Sequence, residues 1–223
     1  MLVAGCGAHS GRATPAGPTT PATVAPVAAT ALDGLLLSAA EINTAVGAQL
    51  SVTGDTKHMD DLSNLVSRPE CLPIFSPAEA TAYAGSGWTA LRIQDLSDAG
   101  HNHSAVQSVV LFPSAQQAAA FFAASSQRWQ ACSNDSFAHT MSGGREFWEV
   151  GSISNSNGIL SAVARIGFEI YDHPALQEGD GASGQRALTA RNNVVIDVFA
   201  YNSTGNNAAV GIAERIAAKV PAK

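Results

Sequence analysis

The chain has 223 residues, of which 46% are hydrophobic and 13% are charged, and its formal net charge is −6. This length suits one large domain, or a domain with a tail, that buries a substantial core. The negative charge argues against a nucleic-acid-binding protein, because such proteins present basic side chains to the phosphates. The longest apolar stretches, such as VVIDVFAY, are far shorter than the roughly 20 residues of a membrane-spanning helix.

The first residues contain the sequence LVAGC, which ends at Cys6 and resembles the lipobox of bacterial lipoproteins. In that family a signal peptidase cuts before the cysteine, which carries the lipid that anchors the protein to the membrane. Only five residues precede Cys6, too few for the charged and apolar regions of a signal peptide. We therefore expect the precursor to begin upstream of Met1.

The segment that follows Cys6 is rich in Pro, Thr and Ala and contains no aromatic or acidic residue up to position 30. Such a composition cannot bury enough apolar surface to fold, and it is typical of a disordered, extended tether. We therefore predict a lipobox and tether in residues 1–31 and a folded domain in residues 32–223.

The folded part is predicted to open with a helix that begins after Ser38. Ser38 and Glu41 have the spacing of a capping box, in which each side chain binds a free amide at the start of the helix. Ile42 and Val46 then supply an apolar helical face. The polar residues 51–71 are interpreted as a long connecting loop.

A β-hairpin is predicted next, with strands at 88–95 and 104–112 around the turn SDAGHNH. Ser114 and Gln117 have the spacing of a second capping box, which opens a helix that runs to about Cys132. Residues spaced three and four apart form one face of this helix, which we expect to pack on a sheet: Ala118, Phe121, Phe122, Ser125 and Trp129.

Four strand-like segments follow, at 136–141, 145–153, 159–171 and 186–201. Glycine- and asparagine-rich turns separate the first three, and a last helix is predicted over 206–220. Because strand follows strand without a crossover helix, the sheet is predicted to be mainly antiparallel. Helices are expected to cover one side of it or its ends, which makes an α+β domain.

The sequence contains three cysteines, of which Cys71 and Cys132 lie in ordered-looking segments. They are the natural disulfide pair, and Cys6 is left over. The bridge would close a loop of roughly 60 residues and stabilise the fold by about 4 kcal/mol. The alternative is that both are buried free thiols of a cytoplasmic protein.

The patterns in the sequence that could carry catalysis are each incomplete. The pair His101 and His103 would need a third ligand to hold a metal, and the sequence nominates none. Ser86 and Ser183 lie among glycines but not in the G-x-S-x-G turn that exposes a nucleophile. The chain has no phosphate-binding loop, dinucleotide glycine pattern or CxxC motif. We expect no metal, no cofactor and no enzymatic activity, with an envelope hydrolase as the least favoured class.

The most informative polar residue is Asp197, in the sequence ARNNVVIDVFAY. It alternates with Val195 and Phe199, and the opposite face is also apolar, so we expect a central strand covered on both sides. A carboxylate there costs several kcal/mol unless it is paired, and we expect Arg165 as its partner. The alternative is the polar floor of a ligand cleft, whose candidate residues are Trp148, Glu149, Arg165, Arg186, Arg191, Asn192, Asn193 and Asp197.

Three stretches together resemble the PknH-like extracellular sensor domain of mycobacteria, and the resemblance spans nearly all of residues 32–223. The stretches are LDGLLLSAAEINTAVGA, then RPECLPIF with AAFFAASSQRWQACS, and GQRALTARNNVVIDVFAY. The resemblance implies an α+β fold with a broad V-shaped cleft that is suspected of binding a ligand. It also implies that Cys71 and Cys132 form the family's first disulfide.

The resemblance to the kinase sensor domain implies a second disulfide at the positions of Gly184 and Tyr201. Both cysteines are absent here, as expected if a bridge is lost as a unit. The lipobox and the missing kinase domain place the chain among the free-standing lipoproteins of the family rather than among the receptor kinases. We expect the side of the cleft near Gly184 and Tyr201 to be looser.

These observations lead to one functional hypothesis and one alternative. The hypothesis is a monomeric, non-enzymatic lipoprotein, anchored through Cys6 on the extracytoplasmic face of the cell membrane. Its sensor-like domain would bind an unidentified small ligand or envelope fragment in a cleft. The alternative is a protein-interaction lipoprotein that modulates a receptor kinase or another envelope partner, which an open apolar patch would favour.

Overall fold

A nine-stranded antiparallel sheet is the framework of the protein, in a computed structural model that describes residues 1–2, 24–171, 182–202 and 207–221. The strands lie in the order β1-β2-β3-β9-β8-β7-β5-β4, and the short β6 pairs with β7. Their bounds are β1 Ser51–Thr56, β2 Ala90–Ser97, β3 Ser104–Leu111, β4 Ser136–Met141, β5 Gly144–Val150, β6 Ser154–Ser156, β7 Ile159–Ile170, β8 Ala182–Arg191 and β9 Val194–Tyr201.

Helices pack on both faces of this sheet. Their bounds are α1 Leu32–Leu35, α2 Ala39–Val46, α3 Leu72–Phe75, α4 Ala80–Tyr83, α5 Ala115–Arg128 and α6 Ala208–Lys219. We call the side that carries α1, α2 and α6 the α6 face, and the side that carries α3, α4 and α5 the α5 face. None of the described helices has the length and apolar character of a membrane span.

The α+β class, the antiparallel sheet and the central position of β9 are confirmed, but helices cover two faces rather than one side or the ends. The reason lies in β9, where Val194, Ile196 and Val198 pack towards α6 while Val195 packs towards α5. A strand that is apolar on both faces needs a layer on each.

Local signals explain where the main helices begin. The capping box of α2 is confirmed, because the Ser38 backbone N–H donates to Glu41 Oε2 at 2.8 Å and the Glu41 N–H donates to Ser38 Oγ at 3.4 Å. At α5 only half of the predicted box forms. The Gln117 N–H donates to Ser114 Oγ at 3.2 Å, and the Gln117 side chain accepts from that same hydroxyl instead of reaching the backbone.

Two segments differ from the sequence-based interpretation. Residues 51–56 form the edge strand β1 rather than a loop. Its side chains are polar apart from the exposed Val52, and its pairing with β2 is interrupted by a bulge between Val52 and Gly54. The segment 186–201 is not one strand but the hairpin β8–β9. Its two-residue turn is Asn192–Asn193, with Asn192 at φ 50°, the left-handed backbone that tight hairpin turns use.

The Cys71–Cys132 disulfide is confirmed. It joins the 3₁₀ turn Pro69–Cys71 to the 3₁₀ turn Trp129–Cys132, which extends α5, and both cysteines are buried in the core of the α5 face. The bridge therefore fastens the segment around α3 to the end of α5. Cys6 lies outside the described residues.

Candidate functional site

Asp197 pairs with Arg186, and the expectation that Arg165 is its partner is wrong. Asp197 Oδ1 lies 2.5 Å from Arg186 Nη2, and its Oδ2 accepts from Tyr83 Oη at 3.0 Å and from the Ala78 N–H at 2.9 Å. Arg165 is on β7 and points to the opposite face of the sheet, where it is exposed and lies 4.0 Å from Glu149.

The Arg186–Asp197 pair is buried in the α5 face. Its side chains are 2% and 3% exposed, and Arg186 also donates to the carbonyl of Pro73 at 3.0 Å and lies over the ring of Trp129. The pair thus ties the β8–β9 hairpin to the disulfide-linked segments. A buried carboxylate that is paired and hydrogen-bonded in this way fits the structural interpretation of Asp197.

The predicted site residues of the β8–β9 turn hold the beginning of the folded chain. Asn193 is buried; its Oδ1 accepts from the Val27 N–H at 2.7 Å, and its Nδ2 donates to the carbonyls of Val27 and Phe112 at 3.1 and 2.9 Å. Asn192 Nδ2 donates to the Ala25 carbonyl at 2.9 Å. Arg191 ends β8 beside them. This turn is roughly 25 Å from the other end of the eight-residue β9, at about 3.3 Å per residue.

A concave surface lies at that other end, on the α5 face. We call it the aromatic cleft, and its volume is about 390 Å³. Strands β3, β4, β5, β7 and β9 form its floor, and the β2–β3 loop and the segment after α3 form its walls. The lining residues are Leu62, Phe75, Ser76, Pro77, His101, Ser104, Val106, His139, Glu146, Trp148, Ile166, Phe168, Phe199 and Tyr201.

The structure brings Trp148 into this cleft and places the other predicted site residues elsewhere. Glu149 follows Trp148 on β5, but alternation along a strand turns it to the opposite face, where it is exposed beside Arg165. Arg186 and Asp197 are buried deeper in the α5 face, and the β8–β9 turn is at the far end of the sheet. The predicted set therefore divides among four places.

Aromatic side chains from the wall and the floor of the cleft pack on one another, edge to face for Phe75 and Trp148 and tilted for the other pairs. The ring of Phe75 is centred 4.4 Å from His139 and 5.2 Å from Trp148, and Trp148 is 5.7 Å from Phe199. Such contacts stabilise the packing of each ring on its neighbour. The lining of the cleft is therefore a continuous aromatic surface.

Glu146 places a carboxylate in this aromatic surface. Its Oε2 accepts from the indole Nε1–H of Trp148 at 3.2 Å and lies 3.0 Å from Nδ1 of His139. Burial and the negative charge of Glu146 raise the pKa of the Tyr201 phenol above its ordinary value. The cleft thus combines a fixed negative charge with several rings.

Sequence reasoning missed Glu146 and His139, although a signal for them was present. The two-residue turn between β4 and β5 pairs Met141 with Gly144 and so puts His139 directly opposite Glu146. Alternation along β5 puts Glu146 and Trp148 on one face. In the described ranges, this pair included, no three His, Cys, Asp or Glu side chains come together as metal ligands.

The positions of the implied second disulfide face each other at the edge of the cleft. Gly184 and Tyr201 are cross-strand partners in the β8–β9 hairpin. A Cβ at Gly184 would lie 2.7 Å from Phe199 Cε2 and 2.9 Å from Ile166 Cδ1. In this chain, the side chains of Phe199 and Ile166 therefore occupy the space above Gly184 and become part of the cleft floor.

Comparison with known proteins agrees with this architecture. The family model described as the PknH-like extracellular domain matches residues 27–219. The serine/threonine-protein kinases PknH of Mycobacterium bovis and Mycobacterium tuberculosis are each 32% identical to the chain over 199 residues, or 87% of its length. The match covers only 32% and 30% of those kinases, so the chain corresponds to less than a third of each.

The crystal structure of the extracellular domain of PknH from Mycobacterium tuberculosis superimposes with a TM-score of 0.77 at 30% identity, covering 87% of this chain and 97% of that domain. The likeness is to an extracellular domain and not to a kinase catalytic domain. This agrees with an extracytoplasmic sensor or interaction domain that is not an enzyme. The chain belongs to the PknH-like extracellular domain family.

Proposed function

We propose that this protein is a lipid-anchored extracytoplasmic lipoprotein whose domain binds a small ligand or envelope fragment in the aromatic cleft. The observation that carries the proposal is the cleft itself, with its volume of about 390 Å³. Ligand sites are typically concave, mostly apolar and furnished with a few convergent polar groups. Packed rings with the carboxylate of Glu146 among them fit that description.

A binding role is favoured over hydrolysis by the surroundings of the cleft hydroxyls. Ser76 and Ser104 line the cleft, but within the described ranges neither hydroxyl is hydrogen-bonded to His139 or His101. A serine nucleophile needs a base within hydrogen-bond reach to become reactive. The imidazole of His139 is directed to Glu146 instead.

The lipid anchor rests on the LVAGC sequence at Cys6 and on where the folded chain begins. Residues 25–27 are held at the β8–β9 turn, so the folded part of the chain begins at the end of the sheet remote from the cleft. Expression of the precursor in a mycobacterium tests the anchor. We expect the wild-type protein in the membrane fraction with an acylated Cys6, and the Cys6→Ala variant in the soluble fraction.

Native mass spectrometry of the full chain after incubation with mycobacterial envelope extract tests ligand binding. We expect a discrete non-covalent adduct that is absent from the denatured protein. The adduct is expected to weaken in Phe168→Ala, because this ring is on the cleft rim and is 39% exposed. The matched control is Phe147→Ala, whose ring is 42% exposed but on the opposite face. A bare protein, or equal loss in both variants, would contradict the proposal.

A protein-interaction lipoprotein that modulates a receptor kinase or another envelope partner is the second candidate. It is favoured by the α6 face of β5 and β7, where Phe147 and Val163 are 42% and 50% exposed beyond the edge of α6. Co-sedimentation with a PknH extracellular domain tests it. Binding that is lost in Phe147→Ser and kept in Phe168→Ser would support this candidate.

A further inference from the structure

We propose that the aromatic cleft selects ligands that carry a positively charged nitrogen next to an apolar or aromatic group. This inference rests on the proposed ligand-binding function and adds to it the chemical class of the ligand. Three observations support it: the charges around the cleft, the bonding of Glu146 and the arrangement of the rings.

The charges around the cleft favour a cation. Among the described lining residues Glu146 carries the formal charge, and neither lysine nor arginine is present. Two histidines, His101 and His139, also line the cleft, and Nδ1 of His139 is already bonded to Glu146. An anionic ligand would therefore lose its hydration without gaining a lysine or arginine partner, whereas a cationic ligand would gain the carboxylate of Glu146.

Glu146 is prepared to accept a further hydrogen bond. Trp148 and His139 both contact its Oε2, which fixes the carboxylate, and Oε1 has no partner within the part of the chain that the structure describes. The side chain is 20% exposed, so the free oxygen is reachable from the cleft. A preorganised acceptor strengthens binding, because little freedom is lost when the ligand arrives.

The aromatic rings around Glu146 also favour a cationic ligand. Phe75, Trp148, Phe168, Phe199 and Tyr201 all line the cleft around this carboxylate. The faces of aromatic rings attract cations, and clusters of rings recognise quaternary ammonium groups. Burial, and in second place the negative charge of Glu146, raise the pKa of Tyr201, so the carboxylate acts on a group contributed by a different strand.

Three probes that share a benzene ring and differ in charge test the proposal on the full chain: benzyltrimethylammonium, benzyl alcohol and benzenesulfonate. The reporter is the ¹⁵N-labelled indole N–H of Trp148, which donates to Glu146. The chain has three tryptophans, and Trp148→Phe assigns the signal. We expect the cation to shift this signal and to bind at least about tenfold more tightly than the other probes. The indole of the buried Trp129 should not respond.

Two variants of the same strand complete the test. Glu146→Gln keeps an acceptor for Trp148 but removes the charge, and it should weaken cation binding about tenfold or more. Glu149→Gln changes the net charge equally on the opposite, exposed face and should leave affinity unchanged.

The outcomes separate this inference from the broader function. If benzyl alcohol or benzenesulfonate shifts the Trp148 signal as tightly as the cation, the charge preference is overturned while the cleft stands as a ligand site. If no probe perturbs Trp148, the charge preference is overturned, and the adduct with envelope extract in native mass spectrometry decides whether the cleft stands as a ligand site. Equal losses in Glu146→Gln and Glu149→Gln would overturn the role of Glu146.

Discussion

Arg186 and Asp197 pair side chain to side chain between neighbouring strands in the interior, with 2.5 Å between Nη2 and Oδ1. The pair lies between the sheet and the segment after the disulfide, because Asp197 also accepts from the Ala78 N–H and Arg186 donates to the Pro73 carbonyl. That segment continues into Phe75 and Pro77, which form a wall of the aromatic cleft. The buried pair therefore supports the cleft wall without itself lining the cleft.

We predict that Asp197→Ala destabilises the protein by about 3–5 kcal/mol, because it leaves the Arg186 guanidinium buried without its counter-charge. Urea denaturation followed by circular dichroism measures the change. The control is Arg165→Ala, at an exposed position, which should change the unfolding free energy by less than about 0.5 kcal/mol. Replacing both Arg186 and Asp197 by leucine should cost less than Asp197→Ala alone. A loss under about 1 kcal/mol in Asp197→Ala would contradict the buried-pair interpretation.

The buried phenol of Tyr83 should make the unfolding free energy of the protein depend on pH in the alkaline range. Burial, and then the negative charge of Asp197, raise the pKa of its phenol well above the ordinary value. The folded state therefore holds this proton more tightly than the unfolded state, so stability is full below the unfolded pKa near 10 and falls as the pH rises above it. We expect the unfolding free energy of the wild type to fall more steeply between about pH 9 and 11 than that of Tyr83→Phe.

The same variant is informative at neutral pH. Tyr83→Phe removes the hydrogen bond to Asp197 Oδ2 and should cost about 1 kcal/mol or more there. Its denaturation curves should approach those of the wild type as the pH increases. Parallel pH profiles for the two proteins would show that Tyr83 does not govern the alkaline loss.

We predict that the two cysteines of the disulfide contribute to the unfolding free energy and that Cys6 does not. Cys71 and Cys132 are 61 residues apart, and loss of a cross-link across such a loop costs about 4 kcal/mol in the chain-entropy model. We expect that loss in the double variant Cys71→Ala/Cys132→Ala, measured by urea denaturation. Cys6→Ala should leave the unfolding free energy unchanged, and equal stability of all three proteins would contradict the structural role of the bridge.

The sequence predicted those features of the fold that depend on neighbours along the chain. Each of these features depends on a short stretch of sequence. Examples are the capping box of Ser38, the apolar face of α5 and the apolar pattern on both faces of β9. The edge strand β1 was missed because an edge exposes polar side chains and so looks like a loop.

The partner of Asp197 was missed for a different reason. Interpreting residues 186–201 as one strand separates Arg186 from Asp197 by eleven positions and hides the hairpin that makes them neighbours. A shift of pairing or an unseen turn changes which side chains share a face. The aromatic cleft could not be predicted because its lining combines five strands with a loop and the segment after α3, and their pairing order is not visible in the sequence.

Asn193 is predicted to secure the start of the folded chain. Its buried amide bonds both backbone groups of Val27 and the carbonyl of Phe112, so Asn193→Ala leaves several polar groups without partners and should cost about 1–3 kcal/mol. Asn192→Gly keeps the left-handed backbone of the turn, removes the exposed contact to Ala25 and should cost less than about 1 kcal/mol. Limited proteolysis supplies a second measurement. We expect faster cleavage near residues 24–28 in Asn193→Ala than in Asn192→Gly, and equal rates would contradict the prediction.

We predict that a side chain at Gly184 disturbs the packing of the aromatic cleft. A Cβ at this position would lie 2.7 Å from Phe199 Cε2 and 2.9 Å from Ile166 Cδ1, so Gly184→Ala must displace two residues of the cleft floor. We expect a loss of about 1–3 kcal/mol in unfolding free energy from overpacking, and weaker binding of benzyltrimethylammonium. The matched control is Gly167→Ala on β7, where a Cβ has nothing within 4 Å. This variant should be neutral or stabilised by a few tenths of a kcal/mol. If both variants keep full stability and affinity, the Phe199 ring is free to move and the cleft floor is not rigid.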